Sequence, residues 1–573
     1  MNVITTGTGS NGVCLLGEAW GTVEAQRRLP FQGPAGARLA RMLGLGGYRR
    51  DDFLITNVCS FQPPQNREPT DQEIAAWWPE TSRLIRESGV RAVVPLGNVP
   101  LSACTGETGI LRRRGYLHWS DSLQLWAIPT VHPAYILRGN ANWTPVWLSD
   151  VEKALHIAAH GPPPAPQRQL LLDPPIGHPR GLGGDSGSHH PTGRFLGDRR
   201  SWGILDGSGG QKSGGPRPTV TTAWEWIEAW RGCQRPPLAW DIETAGKGTD
   251  EEEAELAAGQ EVGTIYRIGF AYRTEGETRA LSLPWGTPFL PLVQALLQGA
   301  PISVVWNRHF DVPRVRAHGL AITGALHDAQ EAWHVLYPDL KKSLEFVASI
   351  LIPGQPYWKD QAYDHPAFYN ATDAAVTIEL FERLVGGLLP EAGLAEVYTR
   401  DVQGLNALLM AMGQRGLPVD QAARADVAHH LSTERQHVLA AMQALVPPNA
   451  KRTKIWKRRK PSWGETLPET VKVRMVERIA RATKTRPART VVEEQYREQL
   501  PFVPSNTQLK AYAKVKGYRL PTVTDRDTGQ TRETADEAAL RRLALTHEQD
   551  PLFPLVLRYR ELDRWLGTYV GRL

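Results

Sequence analysis

Two acidic residues in the stretch LAWDIET, residues 238–244, could share one cation. Side chains of a strand alternate between its two faces, so Asp241 and Glu243 would project on one side while Ile242 enters the core. Two carboxylates that close repel each other unless a cation lies between them or one of them takes up a proton. The pair therefore predicts a cation-binding site.

Two further acids lie downstream in stretches with helical spacing. Asp311 follows Asn307 by four residues in VVWNRHFDVPRVRAHG, and Asp373 follows Tyr369 by four residues in HPAFYNATDAAVTIELFERL, so this phenol and carboxylate would share a helix face. Hard oxygen ligands suit Mg²⁺ or Mn²⁺, and two such ions roughly 4 Å apart clamp the attacking and leaving oxygens of a phosphodiester. The four acids together predict a two-ion site that hydrolyses phosphodiesters.

The elements that must position these residues divide the chain into segments. Residues 1–160 alternate strand-like and helix-like runs, which indicates an α/β domain with a mainly parallel sheet. Residues 161–218 are rich in Gly, Pro and Ser and lack apolar periodicity, so we predict a flexible linker rather than a packed loop. Residues 219–389 are mixed again, and residues 390–573 have a mostly helical pattern. The expected fold class is a multidomain α/β protein.

The acidic motifs resemble those of a known nuclease family. D-I-E-T, N-R-H-F-D and Y-N-A-T-D, in this order and spacing, are similar to the three motifs of the DEDD-type 3′–5′ proofreading exonuclease of family A DNA polymerases, in its tyrosine subclass. The resemblance implies a ribonuclease H-like domain over residues 219–389, in which the four acids ligate two ions and Tyr369 orients the attacking water. Asn307 would contact substrate, or would only cap or position the helix of Asp311. A single D-x-E is more often a pair of solvated surface acids, whereas three motifs in order favour the nuclease.

Residues 390–573 are similar to the thumb of family A polymerases and end in an Arg-rich helical stretch. The family's palm and fingers motifs, D-Y-S-Q-I-E, K-x(6)-Y-G and H-D-E, do not occur, so we expect that this chain alone does not polymerise DNA. The palm and fingers would belong to a separate polypeptide or to a part removed from this chain. The basic run KRTKIWKRRK would contact DNA phosphates with release of counterions, although a solvated face explains any single lysine equally well. Its candidate contacts are Lys451, Arg452, Lys457 and Arg458.

Several motifs in residues 12–158 could form a pocket for a base extruded from DNA. An enzyme that excises a base stacks it on an aromatic ring and reads its Watson–Crick edge with polar groups, and glycine lets the backbone approach closely. The segments LLGEAWG, RLPFQGPAG, FLITNV and IPTVHPAYILR supply such residues, and AVVPLGNVP and RRRGYLHW lie between the last two. Together they resemble a family 4 uracil-DNA glycosylase, which implies an α/β sandwich over residues 1–160.

The resemblance implies a role for each pocket residue. Phe31 would stack on uracil, Asn57 would pair with its O4 and N3, and His132 would stabilise negative charge on the leaving base. Glu18 would orient water beneath the sugar. Phe31 as a core residue, His132 as a helix-terminal residue and Asn57 as a turn former are the alternatives. The glycines that would let backbone approach the nucleotide or its phosphate are Gly17, Gly21, Gly33 and Gly36.

The four cysteines are spread along the chain: Cys14, Cys59, Cys104 and Cys233. Their spacing argues against a disulfide framework or a zinc knuckle. Family 4 glycosylases bind an iron–sulfur cluster through four cysteines, but here the early C-x-x-C is absent and Trp77 and Trp78 lie near the place of a third ligand. Trp20 stands where the family usually has proline. We therefore expect no cluster, in a domain that either retains catalysis or only binds DNA.

Composition sets the outer limits. A chain of 573 residues exceeds what a single core can hold, so three or four domains are expected. The net charge of +6 matters only where basic residues cluster. No apolar stretch approaches ~18 residues and the N-terminus lacks a signal-peptide pattern, which predicts a soluble protein with no membrane partner. We expect a cytoplasmic location, in the bacterial host if the protein is phage-encoded.

Taken together, these patterns predict a phage-like DNA replication and repair protein. It would combine a metal-dependent 3′–5′ exonuclease with a uracil-DNA glycosylase domain, as the N-terminal part of a split or truncated family A polymerase. Its partners would be primer-template, single-stranded and uracil-containing DNA. The alternative is a non-catalytic DNA-binding replication subunit with a degenerate glycosylase domain. The complete acidic motifs argue against that alternative for the nuclease, and the pocket motifs argue against it only modestly for the glycosylase.

Overall fold

The computed structural model describes residues 2–172, 219–244, 265–451, 453–456, 471–480, 489–524 and 531–570. They belong to two compact units, Met1–Gly416 and Leu417–Leu573. Among the described residues, no helix is long and apolar enough to cross a bilayer.

A five-stranded sheet organises the beginning of the first unit. Its strands are β1 (Val13–Ala19), β2 (Leu54–Cys59), β3 (Ala92–Pro95), β4 (His118–Ser120) and β5 (Leu125–Ala127). The order is β2-β1-β3-β5-β4, and only β4 runs antiparallel to its neighbour. This pairing confirms the mainly parallel sheet predicted for residues 1–160, and it brings the carboxyl ends of β1 and β2 together.

Seven helices accompany this sheet. They are α1 (Thr22–Arg27), α2 (Pro34–Leu45), α3 (Asp71–Glu87), α4 (Asn98–Thr105), α5 (Ile110–Arg113), α6 (Pro133–Leu137) and α7 (Thr144–His160). The start of α3 is fixed by a capping box, because the Thr70 side chain accepts from the backbone of Glu73 and the Glu73 carboxylate accepts from the backbone of Thr70. Local sequence therefore decides where this helix begins.

A six-stranded mixed sheet forms the rest of the first unit. Its strands are β6 (Arg168–Leu171), β7 (Leu238–Thr244), β8 (Ile265–Thr274), β9 (Glu277–Pro284), β10 (Ile302–Val305) and β11 (Ala325–Asp328). The order is β11-β10-β7-β8-β9-β6. β7, β8 and β9 form an antiparallel meander, whereas β10 runs parallel to both β7 and β11. The strand with the paired acids, β7, thus lies inside the sheet.

The helices of this part are α8 (Val220–Gly232), α9 (Leu290–Gly299), α10 (Arg308–Ala317), α11 (Ala329–Leu336), α12 (Leu344–Leu351), α13 (Pro366–Arg383), α14 (Leu389–Glu391) and α15 (Gln403–Arg415). The first unit extends through α15, past the predicted boundary of 389/390, and Met410 of α15 packs into the apolar cluster on one face of the second sheet.

Part of the predicted linker is folded. The predicted linker comprises residues 161–218, of which residues 173–218 lie outside the described residues. Its first part contains β6, which pairs in parallel with β9. The buried Arg168 guanidinium donates two hydrogen bonds of 2.7 Å to the Glu379 carboxylate. A buried bidentate ion pair requires good geometry to offset its desolvation, so it fixes β6 on the sheet edge. Four residues are too short a strand for a sequence pattern to reveal.

One apolar cluster joins the two sheets of the first unit. It includes Leu15 and Trp147 from the first sheet and its helices, and Ala271 and Val304 from the second sheet. The two sheets therefore share a core, although the sequence suggested separate modules on a flexible tether. Burial of apolar surface contributes about 25 cal/mol per Å², so a shared core makes the two parts stabilise each other.

The second unit has its own core and more strand than its sequence suggested. Its helices are α16 (Gln421–Leu445), α17 (Asn506–Lys516), α18 (Glu537–Thr546) and α19 (Leu552–Arg564), and its strands are β12 (Thr453–Trp456), β13 (Val471–Ala480), β14 (Arg489–Gln499), β15 (Thr522–Thr524) and β16 (Thr531–Glu533). β12, β14 and β13 form one antiparallel sheet. The mostly helical pattern predicted for residues 390–573 misses this sheet, because charged residues interrupt the few β-branched residues of β13 and β14.

Candidate active sites

The paired acids of β7 face the same side of the second sheet, as their spacing predicted. Ile242 between them is buried in the apolar cluster on the opposite face. α13 crosses the sheet and brings Asp373 to the pair, so that one carboxylate oxygen each of Asp241, Glu243 and Asp373 lies within 4.8 Å of the others. Three acids from distant parts of the sequence therefore form one cluster.

Asp311 lies beside this cluster in the first turn of α10. Its side chain is buried and accepts a hydrogen bond from the backbone of Ile242. Its pKa is raised well above the usual value, by burial and then by the charges of Asp241 and Glu243. The fourth predicted acid is thus electrostatically part of the same site.

Too little positive charge surrounds these acids to keep all of them ionised. Burial and then the charge of Asp373 raise the pKa of Asp241, while burial and then the charge of Asp241 raise the pKa of Glu243. Burial also raises the pKa of Asp373. A divalent cation would displace the retained protons, and hard carboxylate oxygens suit Mg²⁺ or Mn²⁺. The four acids therefore fit the predicted ions.

Two residues that the sequence did not reveal hold Asp373. The indole nitrogen of Trp358 donates to Asp373 Oδ1 at 2.6 Å, and the Lys359 ammonium donates to Asp373 Oδ2 at 2.7 Å. Lys359 also donates to the Tyr369 hydroxyl at 3.0 Å. The lysine thus connects the tyrosine and the carboxylate that were predicted to share a helix face. Nothing in the spacing of PYWKD indicated this role.

Asn370 orients the first acid of the pair. Its side-chain amide donates at 3.1 Å both to the carbonyl and to Oδ2 of Asp241, and its Oδ1 accepts from the Ser282 hydroxyl at 2.8 Å. α13 approaches the sheet closely here, since a Cβ at Gly269 would lie 2.7 Å from the Asn370 carbonyl oxygen. Glycine at position 269 is therefore required for this contact.

Asn307 positions the helix of Asp311 without capping it by its side chain. It precedes α10 with a left-handed φ of 69° and makes no side-chain hydrogen bond to that helix. Its backbone N–H donates to Asp328 Oδ1 at 3.1 Å instead. Of the roles left open for Asn307, its side chain does not cap this helix, and the turn is held by a carboxylate from the neighbouring strand end.

The predicted basic contacts fall mostly outside the described part of the chain. Arg452, Lys457 and Arg458 are not among the described residues. The Lys451 ammonium donates to the carbonyl of Gln443 at 3.0 Å near the end of α16, a common partner for lysine at a helix C-terminus. Lys451 thus has a structural partner that the charge pattern did not predict.

Three residues predicted to recognise a base lie close together in the first domain. A Cβ at Gly17 would lie 2.6 Å from the amide nitrogen of Asn57 and 2.6 Å from two ring atoms of Phe31. Gly17 and Asn57 are directly paired on β1 and β2. Only glycine leaves room for the amide and the ring to converge at this point.

The Asn57 amide is held in one orientation with a free acceptor. Its Nδ2 donates to the carbonyl of Ala19 at 3.3 Å, while its buried Oδ1 has no partner among the described residues. An unsatisfied buried acceptor costs about 1–3 kcal/mol, so its presence indicates a ligand that donates a hydrogen bond. This is the group expected to read a base.

The loop that carries Phe31 is held by Glu24, which the sequence did not single out. Glu24 Oε1 accepts from the backbone of Gln32 at 2.8 Å and of Gly33 at 2.7 Å. The Gly33 N–H is therefore already paired with a carboxylate in this structure. Phe31 has a left-handed φ of 53°, and a Cβ at Gly36 would lie 1.8 Å from its carbonyl oxygen, so Gly36 serves this loop.

His132 lies next to Phe31 and is neutral. The two ring centroids are 5.7 Å apart, and the backbone N–H of Ala134 donates to His132 Nδ1 at 3.3 Å, which leaves the ring proton on Nε2. Burial and then the charge of Arg138 lower the pKa of His132 to about 4. Burial and then the charge of Glu68 raise the pKa of Glu18 to about 7. The pocket therefore supplies a neutral donor and a carboxylate that titrates near neutrality.

Comparison with known proteins identifies this domain. The sequence profile of the uracil DNA glycosylase superfamily matches residues 6–156. The type-4 uracil-DNA glycosylase of Thermotoga maritima is 34% identical over 156 residues, which are 26% of this chain and 80% of that protein. The chain belongs to the uracil-DNA glycosylase superfamily. The type-4 uracil-DNA glycosylase of Pyrobaculum aerophilum is 34% identical over 137 residues, 22% of this chain and 68% of that protein.

A solved polymerase structure has a weaker likeness to the chain. The POL domain of Pol1 from M. smegmatis, in complex with DNA primer-template and dNTP, covers 59% of this chain at 13% identity and a TM-score of 0.36. The chain covers 47% of that structure. A likeness this distant does not assign a function to the residues that follow the glycosylase domain.

The cysteines of the glycosylase domain do not fit an iron–sulfur cluster. Cys14, Cys59 and Cys104 are buried among apolar side chains, and burial raises the pKa of the Cys59 thiol to about 12. The fourth cysteine is exposed at the end of α8 in the second domain. Trp77, near the expected third ligand, instead stacks on Phe61 with ring centroids 5.9 Å apart. A cluster needs four thiolates around one point, and this apolar packing disfavours thiolates.

Proposed function

We propose that the chain is a DNA-processing enzyme that excises uracil in its glycosylase domain and hydrolyses DNA from the 3′ end at its carboxylate cluster. The unpartnered, buried Oδ1 of Asn57 beside the Phe31 ring carries the first activity. The relatives named type-4 uracil-DNA glycosylases support it.

The fixed Asn57 amide matches the edge of uracil. Uracil offers a donor at N3 and an acceptor at O4, which complement an Oδ1 that accepts and an Nδ2 that donates. Cytosine has an acceptor at N3 and a donor at N4. Its N3 would therefore face the acceptor Oδ1, and its N4 would face the donor Nδ2. The bond of Nδ2 to the Ala19 carbonyl hinders the flip that would accommodate cytosine. Each mismatched buried group costs about 1–3 kcal/mol, which favours uracil strongly.

The neighbouring side chains suit the cleavage step. As the bond between the base and C1′ breaks, the electron pair leaves with the base, and the Nε2–H of neutral His132 donates to the oxygen that becomes negative. A water adds to C1′ and gives up its proton, for which ionised Glu18 is the acceptor. Neutral imidazole needs no counter-charge in a buried pocket, which agrees with its low pKa.

Uracil excision should depend on pH through Glu18. Because the acceptor must be ionised and its pKa is raised to about 7, we expect the excision rate to be half-maximal near pH 7 and to level off about one pH unit above it. His132 stays neutral over this range. The measurement is single-turnover excision in EDTA across a pH series. In Glu18→Gln the rate should be low and should lose this dependence, and an unchanged profile in that variant would exclude the role.

The second activity is favoured by the three carboxylates that converge within 4.8 Å. Asp241, Glu243 and Asp373, with Asp311 beside them, would hold two divalent ions. When bound, the ions would supply Lewis-acid stabilisation of the attacking and leaving oxygens. Tyr369, fixed by its hydrogen bond from Lys359, would orient the attacking water. The 3′–5′ polarity rests on the resemblance of the acidic motifs to proofreading exonucleases.

A DNA-gripping role for residues 390–573, as a polymerase thumb, rests on sequence resemblance alone. So does a partner polypeptide that would supply the palm and fingers. Both extend the proposal toward replication, in which excision and 3′ hydrolysis would act on the same DNA.

A single substrate tests both activities with the full-length chain. The substrate is a 5′-labelled single-stranded oligonucleotide with one internal uracil. In EDTA followed by alkali we expect one product that ends at the uracil, and with Mn²⁺ we expect a ladder that shortens from the 3′ end. An oligonucleotide with thymine in place of uracil should stay intact in EDTA. If neither reaction occurs while DNA is bound, the non-catalytic alternative holds.

A further inference from the structure

The glycosylase domain touches the segment that carries Trp358 and Lys359. The Arg113 guanidinium, at the end of α5, lies 3.2 Å from Asp360 Oδ2 and 4.2 Å from the centroid of the Tyr357 ring. Arg113 also pairs with Glu107 of its own domain at 2.7 Å. One side chain thus connects the two ends of the segment Tyr357–Asp360 to the glycosylase domain.

Tyr116 adds a second contact with this segment. Its hydroxyl donates to the carbonyl of Glu345 at 2.6 Å, and its ring packs edge-on against Tyr357 and Trp358, at centroid distances of 5.3 and 6.4 Å. Trp358 is almost completely buried. The indole is therefore held between a ring of the glycosylase domain and the carboxylate of Asp373.

The loop that presents Arg113 and Tyr116 is itself firmly anchored. Between them, the buried Arg114 donates to Asp150 Oδ2 at 2.9 Å and to the Ser349 hydroxyl of the second domain at 2.9 Å. Lys153 donates to the Ser349 carbonyl. Charged groups buried with partners on both sides strongly resist displacement. The loop is therefore fixed with respect to α12.

These contacts continue directly into the carboxylate cluster. Trp358 and Lys359 donate to the two oxygens of Asp373, so this one segment orients the whole carboxylate. The segment Tyr357–Asp360 in turn rests on the glycosylase loop. A displacement of 1 Å in a reacting group can cost about a hundredfold in rate. A support in one domain can therefore determine the rate in the other.

We propose that residues Arg113–Tyr116 of the glycosylase domain are a positioning element of the nuclease site. They hold the segment Tyr357–Asp360, and through it Asp373 and Tyr369, in the arrangement that receives divalent ions. This inference rests on the proposed nuclease function. It implies that the nuclease is incomplete without the glycosylase domain, whether or not uracil is present.

The decisive variants are Arg113→Ala and Asp360→Asn in the full-length chain. Each removes the ion pair between the domains, and Asp360→Asn leaves the Arg113–Glu107 pair intact. We expect each to lower kcat for Mn²⁺-dependent hydrolysis of uracil-free DNA by about tenfold, with KM for DNA unchanged. The double variant should be no slower than the worse single variant, because both changes break one contact.

The matched control is Arg112→Ala, which removes the same charge from the same helix at an exposed position. It should leave kcat unchanged, which separates positioning from a general loss of positive charge toward DNA. Arg113→Lys, which can still pair with Asp360, should restore most of kcat. Uracil excision in EDTA should equal that of the parent in every variant, which shows that the glycosylase domain remains folded.

Binding of Mn²⁺ alone, followed by electron paramagnetic resonance, gives a readout without turnover. Arg113→Ala and Tyr116→Ala should weaken Mn²⁺ binding several-fold, and Arg112→Ala should not. Parent-like kcat and Mn²⁺ binding in Arg113→Ala and Asp360→Asn would overturn the positioning role while leaving the nuclease intact. A parent protein that neither binds Mn²⁺ at this site nor hydrolyses DNA would overturn the proposed nuclease together with this inference.

Discussion

Asp241→Ala and Asp373→Ala should each abolish metal-dependent hydrolysis of DNA, with a fall in rate of about three orders of magnitude or more. Each substitution removes a carboxylate from a cluster whose ligand oxygens lie within 4.8 Å of one another. The fold should survive in Asp241→Ala, because without a cation this buried acid is repelled by the charge of Asp373, and its loss relieves that repulsion. The measurement is the initial rate of shortening of a 5′-labelled oligonucleotide in Mn²⁺.

Two internal controls accompany this experiment. Asp364→Ala removes an exposed acid from the turn before α13 and should digest DNA at the parental rate. Uracil excision in EDTA should be unchanged in both cluster variants, because their glycosylase domain is intact. A double variant, Asp241→Ala with Asp373→Ala, that digests DNA as fast as the parent would show that the nuclease site lies elsewhere.

Asn57→Ala and His132→Ala should abolish uracil excision. Loss of the amide removes both contacts with the Watson–Crick edge, and loss of the imidazole removes the donor to the leaving base, a change that costs about 10²–10³-fold in comparable anion-stabilising sites. The measurement is alkali-dependent cleavage of single-stranded DNA with one uracil by the full-length chain in EDTA, so that the nuclease is silent.

His160→Ala, at the exposed end of α7, serves as the matched control and should excise uracil normally. Both pocket variants should retain the Mn²⁺-dependent ladder on uracil-free DNA. If the parent binds uracil-containing DNA but never cleaves it, the domain is a degenerate binding module and the relationship to glycosylases describes ancestry only. Excision that persists in Asn57→Ala would mean that another group reads the base.

The sequence alone located most of the candidate site residues, because their information is local. Strand alternation placed Asp241 and Glu243 on one face, and helical spacing put Tyr369 and Asp373 together. Short motifs located Gly17, which the structure shows to be the only residue type that fits between an amide and a ring. In each case the neighbours along the chain determine the geometry.

Motif reasoning did not reveal the carboxylates that hold two of the predicted residues. Gly33 was expected to let backbone approach phosphate, and its N–H donates to Glu24; Asn307 was expected to contact substrate or to cap or position a helix, and its backbone N–H donates to Asp328. Both expectations used a correct local rule. In each case, however, a carboxylate from elsewhere in the fold accepts a hydrogen bond from the backbone N–H of the predicted residue.

Only the tertiary structure decided how the two domains meet and what supports the acids. The Arg168–Glu379 pair joins residues 211 positions apart, and the hydrogen bond from Tyr116 to Glu345 spans 229 positions. Lys359 and Trp358 became recognisable only once α13 had placed Asp373 against them. Periodicity and motifs report which face of its own element a residue occupies. Contacts between elements depend on how apolar faces pack and on where buried charges find partners, and those are properties of the folded chain as a whole.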